Sequence, residues 1–215
     1  MLDFMKKLFS RKKKFSDEEY ERHYEAKKEA LEKILGEMHE MVGHALIPFQ
    51  IGGAVDLYYF PRAIDGTALV TMELIEPDGT GPKPNRNGTY ELIAFTRHKI
   101  TGNDKSEEFK KIENRIWRVL TTVARYSFAA KLEPGETAEV PGDEDETGLC
   151  LVFDDYGKEG VDFAIDGRKH GLLLCIEVFK SEMEHAMQHG SRSLFEKLKE
   201  RGHYPYSDLD REPVA

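Results

Sequence analysis

Gly171-Leu172-Leu173-Leu174-Cys175-Ile176-Glu177-Val178-Phe179 is an almost unbroken apolar run in which Glu177 is the one charge. It is far shorter than the roughly 20 apolar residues a bilayer span requires. Its Ile and Val content, and the turn residues ahead of it, predict a strand buried on both faces at the centre of a sheet. Directly after it, Ser181 reads as a helix N-cap, with Glu182 and Glu184 in a first turn where the helix dipole favours acids. His189-Gly190-Ser191 breaks that helix. A second one restarts with Ser191 or Ser193 as its cap and Leu194, Phe195 and Leu198 as its apolar face. Gly202, behind Lys197, Lys199 and Arg201, closes it as a C′ glycine. The remaining HYPYSDLDREPV, residues 203–214, is aromatic, acidic and proline-containing, and reads as a tail docked on the domain.

Upstream, Ser16-Asp17-Glu18-Glu19 is a capping box, serine at the cap and glutamate three residues on. From there Tyr20, Tyr24, Leu31, Ile34, Leu35, Met38, Met41 and Val42 keep helical spacing, with Lys27 as the exception in the stripe. The spacing predicts a long helix ending between Gly43 and Pro48. Val55–Phe60 and Ala68–Ile75 then read as strands around a turn with Asp65-Gly66 at its tip. Tyr90–Arg97 follows a loop rich in Pro, Gly and Asn, and the three form an antiparallel meander covered on one side. Ser106 begins a second long helix with Phe109, Ile112, Ile116, Val119, Leu120 and Val123 on one stripe, ending in Arg125-Tyr126-Ser127-Phe128-Ala129. A Pro134-Gly135 loop and an acidic stretch, Gly142–Thr147, lead into strands at Gly148–Phe153 and Val161–Ile165. The order of elements predicts one α+β domain with a mixed, mainly antiparallel sheet packed by long helices and an N-terminal helical extension. Its expected divisions are 1–14, a frayed basic segment; 15–49, the N-terminal helix; and 50–215, the α+β domain.

The chain has 215 residues, 40% hydrophobic and 33% charged, with a net charge of −9. That is enough chain for a sizeable core beneath a heavily charged surface. Residues 1–14 hold six basic side chains and one acid, a local +5, so the remainder carries −14, the −9 of the whole less that +5. Such an acidic body repels phosphate backbones and argues against nucleic acid as the main partner. The first segment alternates Leu2, Phe4, Met5, Leu8 and Phe9 with lysines. One reading is a basic amphipathic anchor for an anionic membrane, and the plainer one is a solvated start to the next helix. Cys150 and Cys175 stand in strand-like runs without a CxxC partner, as reduced core residues of a cytoplasmic protein do, with a strand-to-strand disulfide as the alternative. The basic start is not followed by the apolar stretch of a signal peptide.

Tests for catalytic chemistry return little. His185 and His189 stand four apart on one helix face, a zinc-compatible spacing, but the glutamate of a metalloprotease helix is missing and no third ligand is evident. His39 and His44 do not share a face. His203, Asp208 and Asp210 hold acid–base residue types, against which stands the reading that His203, Tyr204 and Tyr206 pack the tail while the aspartates face water. Asp154 and Asp155 are adjacent and point to opposite faces of a strand. No nucleophile elbow or P-loop is present. Catalytic residues, metal ligands and cofactors are therefore all expected to be absent.

Four stretches together carry a resemblance: LYYFPRAIDGTALVTMEL (57–74), GTYELIAFT (88–96), ARYSF (124–128) before the Pro-Gly loop, and the segment 170–214. In this order they resemble a Suppressor of fused family domain of the compact bacterial type, over roughly residues 50–214. The resemblance implies binding rather than catalysis. Animal Suppressor of fused grips a short transcription-factor segment as an added β-strand between two domains, and bacterial relatives include proposed immunity proteins that neutralise a toxin. It further implies that Tyr126, at the end of a helix, and Glu136, after the following loop, contact the partner. The loop differs in length from the animal pattern, and Glu136 stands where that pattern has Asp. This chain also lacks room for the second animal domain. The expectation is a cytoplasmic protein- or peptide-binding domain of immunity type. A metal-dependent or hydrolytic enzyme using the C-terminal His and Asp residues is the alternative, and a regulatory partner tethered through residues 1–14 is a third.

Overall fold

The computed structural model describes residues 14–100, 105–140 and 148–215. The expectations for the basic segment (Lys14 excepted) and for the acidic stretch 142–147 lie outside the described residues.

Four helices and nine strands are found among the described residues. They are α1 (Asp17–Leu35), β1 (Val42–Gly43), β2 (Leu57–Phe60), β3 (Thr67–Val70), β4 (Tyr90–Thr96), α2 (Glu107–Ala129), β5 (Thr137–Val140), β6 (Leu149–Asp155), β7 (Ala164–Ile165), β8 (Arg168–Lys169), β9 (Gly171–Val178), α3 (Lys180–His189) and α4 (Ser191–Glu200). Seven strands form one sheet in the order β1-β2-β3-β4-β9-β6-β5. β9 lies fourth from the β1 side once β1 is set aside as a two-residue edge, parallel to β4 and antiparallel to β6. All eight of its residues are buried, as the apolar run requires. The other pairings are antiparallel.

The sheet is covered on both faces, not one as the meander suggested. Phe60, Val70, Ile93, Phe95, Leu174 and Ile176 pack under α1, α3 and α4. Tyr59, Leu69, Leu92, Phe153, Leu173 and Cys175 pack under the stripe of α2. β4 alternates Leu92 and Ala94 on one side with Ile93 and Phe95 on the other, so both of its faces are apolar. The same geometry keeps the cysteines apart. Cys150 pairs with Val178 and Cys175 with Phe153, the two thiols belong to opposite cores, and both are free. Glu177, on the α2 face, receives a two-pronged bond from Arg115, Nε and Nη2 each at 2.6 Å.

α1 starts at the capping box, with the Ser16 Oγ accepting from Glu19 N and the Glu19 carboxylate accepting from Ser16 N. It stops at Leu35, earlier than its spacing suggested. Gly36 takes φ +83°, and the Glu32 side chain and carbonyl cap the last turn. The chain beyond turns back to the sheet, where His39 N bonds Tyr59 O and Val42–Gly43 pairs with β2. A side chain at position 43 would meet the Tyr59 hydroxyl unless that ring shifted, and glycine leaves the space open.

Lys27, the exception in the α1 stripe, is 1% exposed and is the cation of a buried pair. Its Nζ donates to Glu91 Oε1 at 2.7 Å and to the carbonyls of Met72 and Ile75 at 2.8 Å. Glu91 also accepts from Thr71 Oγ1 and from the N–H groups of Leu74 and Ile75. This explains why the strand expected over 68–75 ends at Val70: residues 71–75 wrap the pair and give it the backbone groups a longer strand would give a neighbour. Val161–Ile165 also departs from expectation. Ala164–Ile165 pairs only with Arg168–Lys169, around Asp166-Gly167, as a flap that seats Phe163 and Ile165 in the α1-side core.

The split helix is as expected, with Gly190 at φ +85° between α3 and α4, but the caps differ. Phe179 caps α3 and Glu182 Oε2 accepts its N–H at 3.0 Å, so Ser181 lies inside the helix. Gly190 precedes α4, which leaves Ser191 free to bond elsewhere. The tail docks, but Asp208 does not face water. It is 2% exposed and accepts from Thr96 Oγ1 at 2.5 Å and Arg97 N at 2.7 Å, capping the end of β4. Tyr204 OH donates to Asp154 Oδ2 at 2.9 Å, and the Arg97 guanidinium lies over the Tyr206 ring. Arg211 forks onto Glu182 at 2.6 and 2.8 Å.

Two predictions follow from these buried charges. Lys27→Ala, which leaves Glu91 without its cation, lowers the free energy of unfolding in urea by about 3–5 kcal/mol, and Lys27→Met with Glu91→Gln recovers most of that loss. Burial alone would raise the Glu182 carboxyl, but Arg211 and the N–H groups of Val214 and Phe179 outweigh it and hold it below its ordinary 4.5. A lowered carboxyl pKa contributes stability that is complete above the unfolded value and disappears as pH falls through the folded one. The melting-temperature gap between wild type and Glu182→Gln is therefore open at about pH 7 and closes as pH falls through the lowered carboxyl value, below 4.5.

Candidate partner-binding groove

The sheet has two unequal edges. β1 offers two residues, while β5 offers four at the far end, beyond β6. An edge strand presents unpaired N–H and C=O groups. Beside β5 the surface sinks into a groove of about 870 Å³, bounded by the last turns of α2, the loop 131–136, and the junction of α3 and α4.

Tyr126 stands on the α2 side of this groove and is 55% exposed. The helical period that buries Val123, Ala124 and Ser127 turns it outward. Met187 stands on the α3 side, 68% exposed, one residue past the buried Ala186. Two large exposed side chains therefore flank one strand edge from opposite faces of the sheet.

The loop between them is bonded to both faces of the molecule. Leu132 is buried under α2. Gly135, at φ +93°, donates its N–H to Phe153 O at 2.7 Å, and its carbonyl accepts Ser191 Oγ at 2.6 Å. The Ser191 hydroxyl expected as a helix cap is thus a latch on the groove loop. Glu136 lies on the groove wall, its carbonyl receiving Phe153 N and its carboxylate receiving Glu133 N at 2.9 Å. Tyr126 and Glu136, ten residues apart in sequence, line one and the same cavity. Reading by residue pattern missed β5 and Met187. Thr137-Ala138-Glu139-Val140 is a weak strand signal, four residues with a charge inside, and a lone methionine on a helix carries no signal at all.

The other candidate groups stand elsewhere. The His185 and His189 rings are 4.6 Å apart between centroids, with His185 Nε2 in a hydrogen bond to Ser193 Oγ at 3.1 Å. Among the described residues no three or more His, Cys, Asp or Glu side chains are grouped to hold a metal ion. His203 bonds Arg97, while Asp154 and Asp155 point apart, to Tyr204 and to Arg86 with Asn87. Among the described residues no helix is long and apolar enough to cross a membrane.

The family model for Suppressor of fused protein (SUFU) matches residues 55–212. The chain belongs to the Suppressor of fused family. Two solved structures support the fold assignment. One, from the Sufu–Fu complex crystal structure, superposes with a TM-score of 0.58 at 16% identity, covering 89% of this chain and 92% of that one. The other, described as a Suppressor of fused homologue from Neisseria gonorrhoeae FA 1090, gives 0.55 at 13% identity, covering 90% and 97%. Comparison with the curated proteins finds no match. At these identities the Suppressor of fused likeness speaks for the fold and not for any particular partner.

Because the Ser191 hydroxyl ties the groove loop to α4, Ser191→Ala costs about 1 kcal/mol in urea unfolding and speeds proteolytic cleavage within residues 131–136. Unchanged cleavage there would show that the loop is held without the latch.

Proposed function

We propose that this Suppressor of fused family member is a non-enzymatic protein- or peptide-binding domain that takes its partner in the groove beside β5, with Tyr126 and Glu136 in contact. The observation that carries the reading is the placement of Tyr126 and Met187 on either side of a strand edge that is unpaired among the described residues. An extended segment added along β5 would gain main-chain hydrogen bonds, and its alternating side chains would meet the Tyr126 wall and the Met187 wall in turn. Tyrosine suits such a place because it gives large contact area with few rotatable bonds. The membership of a similar fold in a Sufu–Fu complex supports protein binding as the mode. Glu136 and Glu139 on the groove favour a partner segment with basic character.

The physiological role we propose is bacterial immunity, in which this chain neutralises a toxin-like partner encoded beside it. The acidic body, suited to a basic protein partner, supports this. Two free buried thiols support a reducing, cytoplasmic setting.

The test is binding to the product of the neighbouring reading frame. Tyr126→Ala weakens that complex by roughly tenfold or more, as truncation of an anchoring aromatic does, and leaves the melting temperature of the free protein almost unchanged because the ring is exposed. Equal affinity of wild type and variant would remove Tyr126 from the interface.

A further inference from the structure

A second cleft, of about 350 Å³, lies between α1 and the segment after β3, on the α1 side of the sheet. Its composition differs from that of the β5 groove. Tyr20 and Tyr24 from α1 and Tyr58 from β2 line it, with the Tyr24 and Tyr58 rings 6.0 Å apart and inclined at 51°. Glu73 and Glu76 supply two carboxylates.

Glu73 is the informative residue. One carboxylate oxygen accepts Asp56 N at 2.7 Å and the other takes a long bond of 3.4 Å from Gln50. Among the described residues neither it nor Glu76 forms an ion pair with a lysine or arginine, and the near cation, Lys27, is committed to Glu91. Burial, with the Asp56 and Glu91 charges adding to it, pushes the Glu73 carboxyl up to about 7 against the pull of the Asp56 N–H. A half-desolvated carboxylate without a counter-charge is a costly feature, and a bound cation removes that cost.

His23 borders both this cleft and the smaller one beside His170, and it is 6% exposed. Nε2 lies 2.9 Å from Ile75 O, so it carries the proton, and Nδ1 is left as a buried acceptor without a partner. Burial first, and then Lys27, lower the imidazole pKa, which keeps that nitrogen an acceptor near neutral pH.

Tilted aromatic rings attract cations through their faces. Carboxylates reward N–H donors. An anion is repelled here, a neutral apolar ligand leaves Glu73 uncompensated, and a quaternary ammonium has no N–H to give. We propose that this cleft binds a primary ammonium group carried on an aliphatic stem. Glu73 supplies the counter-charge, and Tyr24 and Tyr58 the walls.

The site is tested on the full-length protein alone, without any groove partner, so the outcome is separate from that of the β5 reading. Amide NMR shifts are followed during titration with Nα-acetyl-lysine N-methylamide, with putrescine, and with 1-butanol as the uncharged control. The proposal expects saturable shifts confined to residues 20–24, 56–58 and 73–76 with at least one amine and none with butanol. The tighter amine tells a protein lysine from a free diamine. Glu73→Gln weakens the amine roughly tenfold, the factor that about 1.4 kcal/mol represents, and Tyr58→Leu also weakens it. Failure of both amines to saturate, an equal response to butanol, or unchanged affinity in Glu73→Gln would each overturn the assignment. The butanol comparison needs no variant, so it decides the matter even where a substitution unfolds the chain.

Discussion

A strand whose every residue is buried must be hydrogen-bonded along both edges and covered on both faces, because unpaired backbone groups inside a protein are costly. β9 imposes that constraint on the whole chain. One edge takes β4 in parallel, which joins it to the N-terminal meander, and the other takes β6 in antiparallel fashion. One face takes α2, and the other takes α1 with the split helix α3–α4. Full burial of a single Leu, Ile or Val side chain is worth about 1.5–3 kcal/mol, and the side chains of β9 are divided between the two cores, so each face of the strand anchors one of them.

The same arrangement determines where the sheet ends. β6 needs a partner on its outer side and takes β5, but β5 has none among the described residues, so its open edge falls beside the α2 terminus and the α3–α4 junction. Groove, latch and flanking side chains all follow from that ending. Gly190 is part of it: breaking the helix there brings the Ser191 hydroxyl to the Gly135 carbonyl. Polar chemistry inside the core works differently. The Lys27–Glu91 pair does little to drive collapse, but it gathers Thr71, Met72, Leu74 and Ile75 around itself and so decides where β3 stops. Replacing both charges by apolar groups is a near-neutral change in many proteins, whereas removing one is severe.

Features legible in the sequence were those written in local pattern. The GLLLCIEVF run, the Ser16 and Ser106 caps and the α2 stripe each act over a few residues, and each appears in the fold, whereas Asp65-Gly66 lies at the β3 end of the 61–66 connection and not at the tip of a tight hairpin. Features set by distant partners were not legible. α1 keeps its period through Val42, yet Gly36 and the bond from His39 N to Tyr59 O end it at Leu35. Asp208 looks like a solvent-facing acid because nothing near it in sequence shows that Thr96 and Arg97 await it. Lys27 broke the stripe as a charge, and its partner lies 64 residues away. Tyr126 and Glu136 came from the family resemblance, not from any chemical pattern, and the structure puts both on one groove. Met187, β5 and the Glu73 cleft needed the coordinates.

Native-state amide hydrogen exchange reads the central claim, a sheet built around β9 that runs out at an open edge on β5. The account predicts that the amides of Leu172–Ile176 exchange only through global unfolding, together with those of β4 and β6, while alternate amides of Thr137–Val140 exchange near the rate of exposed loops. Uniform protection along β5, or exchange in β9 as fast as in β5, would contradict it.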